Sequence, residues 1–350
     1  MNQSKGTADV TREAAYAPVL SVTVLNHNYG RFLSDCLESI LNQTMTDFEI
    51  IVIDDCSTDN SREVIAEYCH DRRFRTVFHA DNRGFLKSLR EGCALSRGKY
   101  LTVISADDYA RDVRAFEKQT AILERCDKVA FLFSAWMISD ADEKEIYEWR
   151  AGEEDYIAKG VDAFRRQLLS YDVLHSGTFI RKSCYEAVGG YNEKLKYAID
   201  TAMWLTLCST GSVAYINQPL YVQRHHGSNM TASNDVLAES IPEVLSAINS
   251  AFCRFPTNSF PDREALLKKA RQHALLAWPI ACIFRDEYRR GWRAYWLAFT
   301  LFPRLTLFQR SSLVLGMRAL LGGRGFEKAA ALYHFVSRGK RRSRTDLRRP

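Results

Sequence analysis

The sequence predicts an α/β fold in which a mostly parallel sheet is flanked by helices, followed by an α-helical carboxyl-terminal region. From Val19 onward, short apolar runs alternate with amphipathic stretches, as in stacked βα units on a parallel sheet. Past Asn234 the alternation ends, and the remaining apolar residues favour helices alone.

The first half of the chain contains the clearest strand and helix patterns. The apolar runs predict strands at Val19–Leu25, Glu49–Asp54, Arg75–Phe78, Tyr100–Ile104 and Val129–Phe133. Between them, helical spacing predicts crossover helices at Phe32–Leu41, Ser61–Cys69 and Phe85–Leu95. Later segments predict, in order, a helix at Val161–Leu169, a strand at Gly177–Arg181, a helix at Ala198–Cys208, short apolar segments at Val213–Ile216 and Leu220–Val222, and a polar loop at Arg224–Asn234.

The length of 350 residues suggests more than one structural unit. We expect a disordered amino terminus at 1–17, an α/β domain at 18–235, a helical region at 236–337 and a basic tail at 338–350. The tail holds seven Lys or Arg residues and one Asp, which accounts for the whole net charge of +6. The rest of the chain is therefore neutral, and no nucleic-acid recognition motif accompanies the tail.

The compartment can be predicted from cysteine usage and hydropathy. Nine cysteines occur without a CxxC pair, which argues against a zinc site or a disulfide scaffold and favours the reducing cytoplasm. No secretory signal or membrane-spanning run is visible. The aromatic and basic segment Arg289–Arg310, with Pro303 inside it, and the basic tail favour peripheral binding to an anionic membrane. Alternatively, these helices cover the core and the tail is a solvated end.

Polar segments follow three of the predicted strands at the points where the strands end. They read NHNYG after the first strand, DCSTD after the second and SADD after the fourth. Ligands of open α/β sheets bind at the carboxyl ends of strands, so these segments are expected to form one site. The strand ends bring together five carboxylates, those of Asp54, Asp55, Asp59, Asp107 and Asp108.

Five neighbouring carboxylates repel one another unless a cation or hydrogen-bond donors compensate their charge. A divalent ion, Mg²⁺ or Mn²⁺, is the simplest compensation, because these ions bind one or two carboxylates together with substrate phosphates. The pattern therefore favours a diphosphate ligand. The sequence lacks GxGxxG after the first strand and also lacks GxxxxGK[ST], which argues against nicotinamide-dinucleotide and P-loop chemistry.

Four sequence blocks between Val19 and Thr231 resemble the family 2 glycosyltransferases, which have the nucleotide-sugar-binding GT-A fold. The blocks are SVTVLNHNYGRFLSDCLESILNQTMTDFEIIVIDDCSTDNS, NRGFLKSLREGCALSRGKYLTVISADD, GGYNEKLKYAIDTAMWL and LYVQRHHGSNMT. Their order and spacing carry the resemblance, which covers about two-thirds of the chain.

The resemblance implies a nucleotide-sugar donor site. Leu25 and His27 would line the nucleoside pocket, and Asp55 would accept a hydrogen bond from the base. Asn82 and Gly84 would shape the adjacent loop. A purely structural interpretation stays open, since Asp54 and Asp59 can cap the following turn and an Asn-x-Gly turn forms without a ligand.

The resemblance also implies a metal ligand and a catalytic base. Asp107 would bind the metal in a motif whose first Asp is replaced by Ser105, with Asp108 beside it, and Asp200 would be the base. Arg224 and His226 would lie on the diphosphate side, with His226 as a second metal ligand. The structural alternatives are that Asp107 and Asp108 start a helix at Arg111 and that Asp200 caps its own helix.

These residues predict an inverting glycosyltransferase. It would move a sugar from a nucleoside-diphosphate donor to a hydroxyl of a glycan or lipid-linked acceptor, as in bacterial surface-polysaccharide assembly. The alternative is a non-catalytic nucleotide-sugar or glycan-binding protein of the same fold, supported by Ser105. A nucleotidyltransferase would need a Gly-rich phosphate loop near the amino terminus, and the sequence has none.

Overall fold

A computed structural model describes residues 17–170, 173, 175–227, 229 and 234–284. These residues divide between two compact units, one within Met1–Ala232 and Ser246–Pro261 and the other within Ser233–Leu245 and Asp262–Pro350. The strands are β1 (Leu20–Asn26), β2 (Phe48–Asp54), β3 (Phe74–Phe78), β4 (Tyr100–Ser105), β5 (Tyr109–Ala110), β6 (Val129–Asp140), β7 (Glu145–Trp149), β8 (Tyr156–Ala158), β9 (Phe179–Arg181) and β10 (Ser212–His225). The α-helices are α1 (Gly30–Leu41), α2 (Ser61–Tyr68), α3 (Phe85–Leu95), α4 (Ala115–Arg125), α5 (Gly160–Ser170), α6 (Lys182–Ala187), α7 (Ile199–Leu207), α8 (Asn234–Phe252) and α9 (Arg263–Phe284).

The first unit is built on one sheet with the strand order β3-β2-β1-β4-β9-β6-β10-β5, to which β7 and β8 add at the sides. Strands β3, β2, β1 and β4 run parallel, as do β6 and β10. Strand β9 lies antiparallel between the two groups. The predicted α/β class with a mostly parallel sheet and flanking helices is therefore confirmed.

Burial explains why the central strands read as continuous apolar runs. Every residue of β1 and β2 is buried, because helices cover both faces of a parallel sheet. Helix α1 contributes an apolar stripe at helical spacing, formed by Phe32, Leu33, Cys36, Leu37 and Ile40. The first three predicted crossover helices match α1, α2 and α3 to within two residues at each end.

Strands β6 and β10 differ from the prediction. Strand β6 is longer than predicted and continues beyond Phe133. In the added part, Ala135, Met137 and Ile138 are also buried where β6 pairs with β10. The two apolar segments predicted around Pro219 are one strand, β10, whose register shifts there. Proline has no N–H to donate to a sheet ladder, which accounts for the irregularity. The predicted polar loop therefore begins after His225, and Arg224 lies within the strand.

Several predictions fall on parts of the chain that the structure does not describe. They are the predicted disordered terminus at 1–17, of which only residue 17 is described, the predicted interfacial segment Arg289–Arg310 and the predicted basic tail at 338–350. Helices α8 and α9 lie in the region predicted to be helical. Among the described residues, no helix has the length and hydropathy needed to cross a bilayer.

Candidate active site

A cleft of about 770 Å³ lies at the carboxyl ends of β1, β2 and β4. The parallel register puts these strand ends side by side, with Asn26 opposite Asp54 and Leu25 opposite Ser105. Of the nine site residues predicted from the sequence, the cleft is lined by seven, namely Leu25, His27, Asp55, Asn82, Gly84, Asp107 and Asp200. The strand-end argument thus predicted the location of the cleft.

The side chains of Asp54 and Asp59 serve the local backbone. Asp54 Oδ1 accepts a hydrogen bond from the Ser57 amide at 3.1 Å. Asp59 Oδ1 accepts from the Ser61 amide at 3.0 Å, and its Oδ2 accepts from the Gly30 amide at 2.8 Å. These two carboxylates hold turns, as the structural alternative proposed, and neither lines the cleft.

The carboxylate of Asp55 is held by three donors. Its Oδ1 accepts from His79 Nδ1 at 2.7 Å and from the Arg83 amide at 2.8 Å, while its Oδ2 accepts from the Gly84 amide at 2.8 Å. Burial alone would raise the pKa of Asp55, but these hydrogen bonds outweigh it and hold that pKa below its ordinary value. Asp55 is therefore a fixed, ionised acceptor in the cleft wall.

The ring of His27 is fixed by both of its nitrogens at the mouth of the cleft. Nδ1 lies 2.8 Å from the Asp55 carbonyl oxygen, so Nδ1 carries the proton and donates. Nε2 then accepts from the Asn82 amide group at 3.1 Å. Asn82 also accepts from the Gly84 amide, and Gly84 has a φ of 87°, a backbone conformation that strains other residues. The predicted Asn-x-Gly turn is present in the structure, and its Asn82 side chain also orients His27.

Asp107 and Asp108 form a buried acidic pair after β4. Burial raises the pKa of Asp107, although hydrogen bonds from its own backbone, His226 and Asn229 oppose the shift. Burial and then the charge of Asp107 raise the pKa of Asp108 well above its ordinary value. The alternative that these residues start a helix at Arg111 is wrong, because β5 follows them and α4 begins only at Ala115.

His226 lies against the carboxylate of Asp107. Its Nε2 is 3.2 Å from Asp107 Oδ2, which also accepts from the Asn229 side chain at 2.9 Å. The imidazole stacks on Phe32 with ring centroids 4.8 Å apart and meets the edge of Tyr29 at 5.5 Å. Rings at the start of α1 therefore hold His226 beside the acidic pair.

Asp107 and His226 fit a divalent metal whose remaining positions a ligand would fill. The described residues contain no set of three or more His, Cys, Asp or Glu side chains arranged around an ion. Magnesium-type ions commonly take only one or two protein ligands together with phosphate oxygens and water. The raised pKa values of Asp107 and Asp108 mark buried negative charge that such a cation would compensate.

The prediction that Arg224 lies in a loop facing the donor is wrong. Its side chain is fully buried, with the guanidinium 2.7 Å from Asp35 Oδ2 and also bonded to Glu143. The guanidinium lies over the rings of Phe32 and Tyr109, and Arg224 is absent from the lining of the cleft. Placement in β10 turns this side chain inward, beneath the segment that carries the acidic pair.

Arg224 contacts the acidic pair through both its backbone amide and its side chain. Its amide donates to Asp108 Oδ1 at 3.2 Å, and its Nη1 donates to the carbonyl oxygen of Asp107 at 3.4 Å. Asp108 Oδ2 also accepts from the Ser176 hydroxyl. Arg224 therefore supports the turn that presents Asp107 to the cleft.

Asp200 faces the same cleft from the first turn of α7. About 44% of its side chain is exposed, and its Oδ1 is buried with no hydrogen-bond partner among the described residues. The alternative that Asp200 caps its helix is wrong, because Ala198 is the cap residue and no side chain makes a capping bond. A carboxylate left without a structural bond in a cleft is available for chemistry.

Comparisons with known proteins agree with this geometry. A model of the family described as glycosyl transferase family 2 matches residues 21–189. An uncharacterized glycosyltransferase of Haemophilus influenzae is 31% identical over 228 residues, which cover 62% of this chain and 68% of that protein. The chain belongs to glycosyl transferase family 2. A chondroitin synthase of Pasteurella multocida is 25% identical over 221 residues, but these cover only 22% of that longer protein.

Two solved structures share the fold of this glycosyltransferase. TarS of S. aureus, solved with UDP-GlcNAc, gives a TM-score of 0.53 at 16% identity over 75% of this chain and 82% of that one. The mannosyltransferase PcManGT of Pyrobaculum calidifontis, solved with GDP-Man and Mn²⁺, gives 0.54 at 16% identity over 94% and 90%. The predicted GT-A fold is confirmed.

Three residues of this glycosyltransferase near the cleft were not predicted. His79 directly follows β3, so the same strand-end rule could have found it. Asn229 lies in the block that supplied His226 and could have been taken from it. His175 follows no strand and belongs to no recognised block, so no sequence pattern indicated it.

Proposed function

We propose that this glycosyltransferase transfers a sugar, with inversion, from a nucleoside-diphosphate donor to a hydroxyl of a glycan or lipid-linked acceptor. The observation that carries the proposal is that one cleft is lined by Asp55, Asp107 and Asp200, three carboxylates in three different states. Asp55 is fixed and ionised, Asp107 is buried beside His226, and Asp200 is unbonded at Oδ1.

The donor would occupy the side of the cleft formed by the ends of β1 and β2. Asp55 accepts a hydrogen bond from an N–H of the base, while Leu25 and His27 contact the nucleoside. Asn82 and Gly84 keep this wall in shape through their bonds to His27 and Asp55. The related folds solved with UDP-GlcNAc and GDP-Man support a nucleotide-sugar donor.

The diphosphate would lie beside Asp107 and His226, which would hold Mg²⁺ or Mn²⁺. When bound, the ion neutralises the charge that develops on the leaving diphosphate. Arg224 supports this site through two bonds: its backbone amide donates to Asp108 Oδ1, and its buried guanidinium donates to the carbonyl oxygen of Asp107. The neighbour solved with Mn²⁺ supports a divalent ion.

Asp200 would serve as the general base. Its exposed oxygen accepts the proton of the acceptor hydroxyl as that oxygen attacks the anomeric carbon from the face opposite the nucleotide. One in-line displacement forms the new glycosidic bond, breaks the bond to the diphosphate and inverts the anomeric configuration. The relatives named as chondroitin synthases support a role in bacterial surface-polysaccharide assembly. The basic tail at 338–350 would bind an anionic membrane through its positive charge.

A nucleotide-sugar screen tests this proposal. Purified full-length chain is incubated with a panel of uridine, guanosine, thymidine and cytidine diphosphate sugars, with Mn²⁺, with Mg²⁺ or with chelator. We expect metal-dependent release of one nucleoside diphosphate, lost in Asp107→Ala. Binding without release, even with lipid-linked acceptors present, would favour the second candidate, a non-catalytic sugar-nucleotide-binding protein, for which Ser105 in the metal motif is the supporting observation.

A further inference from the structure

Two buried polar groups at the acceptor end of the cleft lack the hydrogen bonds that such groups normally make. Asp200 Oδ1 and His175 Nδ1 are both buried without a partner among the described residues. Most buried polar side-chain atoms are hydrogen-bonded, so an orphan pair in one cleft wall indicates an arrangement that is completed in another state. Both residues line the cleft.

The imidazole of His175 is held in place by aromatic rings. Its centroid lies 5.8 Å from those of Phe85 and Tyr191 and 6.1 Å from that of Trp204. Nε2 lies 3.0 Å from the Tyr191 hydroxyl and 3.9 Å from Asp200 Oδ1. One ring nitrogen therefore faces both a phenol and the orphan carboxylate oxygen.

The proton of His175 can be assigned to Nε2 by a physical argument. Orphaned buried N–H groups are rarer than orphaned acceptors, and Nδ1 has no partner, so Nδ1 is the bare acceptor of the neutral ring. The Nε2–H then donates to Tyr191, and Asp200 Oδ1 lies 3.9 Å from the same nitrogen. Catalytic hydrogen bonds are often long in a ligand-free site and shorten when substrate binds.

We propose that His175 is a positioning residue for Asp200. Its Nε2–H donates to the buried Oδ1 when the donor and an attacking O–H group, of an acceptor or of water, fill the cleft, which directs the exposed oxygen of Asp200 toward that attacking O–H group. The need for it follows from the 44% exposure of Asp200, whose carboxylate is otherwise free to turn away. This inference rests on the proposed role of Asp200 as the base.

Three substitutions separate positioning from packing. In His175→Phe the ring contacts remain and the donor is lost, so kcat falls about 10- to 100-fold while the donor KM stays within twofold. In His175→Gln the amide nitrogen replaces Nε2 and restores kcat to within about fivefold. In Tyr191→Phe the competing acceptor is removed, and kcat is unchanged or higher. The unfolding temperature of each variant is compared with that of the wild type, to detect any loss of packing.

The readout is release of nucleoside diphosphate from the donor that the screen identifies, with water as the acceptor. Equal losses in the Phe and Gln variants, or a loss in Tyr191→Phe as large as in His175→Phe, would overturn the inference. So would an unchanged kcat in His175→Phe while Asp200→Asn is inactive. If Asp200→Asn itself released product at the normal rate, the proposed function would fail instead, so the two failures are distinguishable.

Discussion

The imidazole of His79 lies between the carboxylates of Asp55 and Glu91, with Nδ1 2.7 Å from Asp55 Oδ1 and Nε2 2.9 Å from Glu91 Oε2. His79 and Asp55 are both buried. Because His79 occupies one lone pair of Asp55 Oδ1, a ligand can bond only to the lone pairs of Asp55 that accept no hydrogen bond within the protein. The proposed donor site thus depends on a residue that does not itself line the cleft.

Replacing His79 tests that dependence. In His79→Leu, Asp55 loses a hydrogen bond that holds it ionised, and we expect the Kd for the donor to rise about tenfold, or ~1.4 kcal/mol. Titration calorimetry measures this, with Glu91→Gln as a control that keeps His79 and should change Kd about threefold or less. Unchanged donor affinity in His79→Leu would refute a role for the His79 contact.

Restoring the missing acid of the metal motif tests the metal assignment. In Ser105→Asp, a carboxylate joins Asp107 at the cleft, and we expect the Mn²⁺ concentration for half-maximal activity to fall about tenfold. In chelator, Ser105→Asp should unfold at a lower temperature than the wild type, because three neighbouring carboxylates repel one another. Ser105→Asn adds similar bulk without charge, so equal behaviour of the two variants would argue against a metal at Asp107.

Arg224 is expected to act on stability rather than on donor binding. Arg224→Met removes the buried cation between Asp35 and Glu143, and we expect the free energy of unfolding to fall by about 3 kcal/mol. Chemical denaturation measures the loss, and Asp35→Asn, at a half-exposed partner, should cost about 1 kcal/mol. A stable Arg224→Met protein that had lost donor affinity would instead favour a direct contact with the diphosphate.

Asp108 makes stability depend on pH when no metal is bound. Its pKa is raised by burial and by the charge of Asp107, so the folded state holds this proton more tightly than the unfolded chain does. The contribution of Asp108 to stability is therefore fully present below the ordinary carboxylate pKa and is lost as pH rises through the pKa of the folded state. We expect unfolding temperatures in chelator to fall less with pH in Asp108→Asn than in the wild type. Asp142→Asn, at an exposed site, should follow the wild type.

The features that could be predicted from the sequence are those with a regular pattern of apolar residues. Alternating apolar runs located the strands, and the strand-end rule then located Asp55 and Asp107, since parallel neighbours must end at one edge. Residues whose role depends on distant contacts were harder to predict. His79 acts through Asp55, and His175 meets Asp200 only through the position of α7, whose Trp204 packs against Phe131 and His175.

Arg224 illustrates the limit of motif-based prediction most clearly. Its motif indicated the correct region, but whether a side chain faces inward or outward depends on strand register. Two irregularities around Pro219 set that register; the proline indicates a break in the ladder but not how far the register shifts. A one-residue difference decides between a ligand contact and a buried ion pair.

The central claim is that Asp200 is the catalytic base, and Asp200→Asn tests it most directly. The substitution preserves the size and position of the side chain and removes its basicity. Donor Kd and turnover are measured on the same preparation with Mn²⁺ present. We expect a Kd within threefold of the wild type and a kcat reduced at least 100-fold. Turnover at the normal rate with normal donor affinity would contradict the claim.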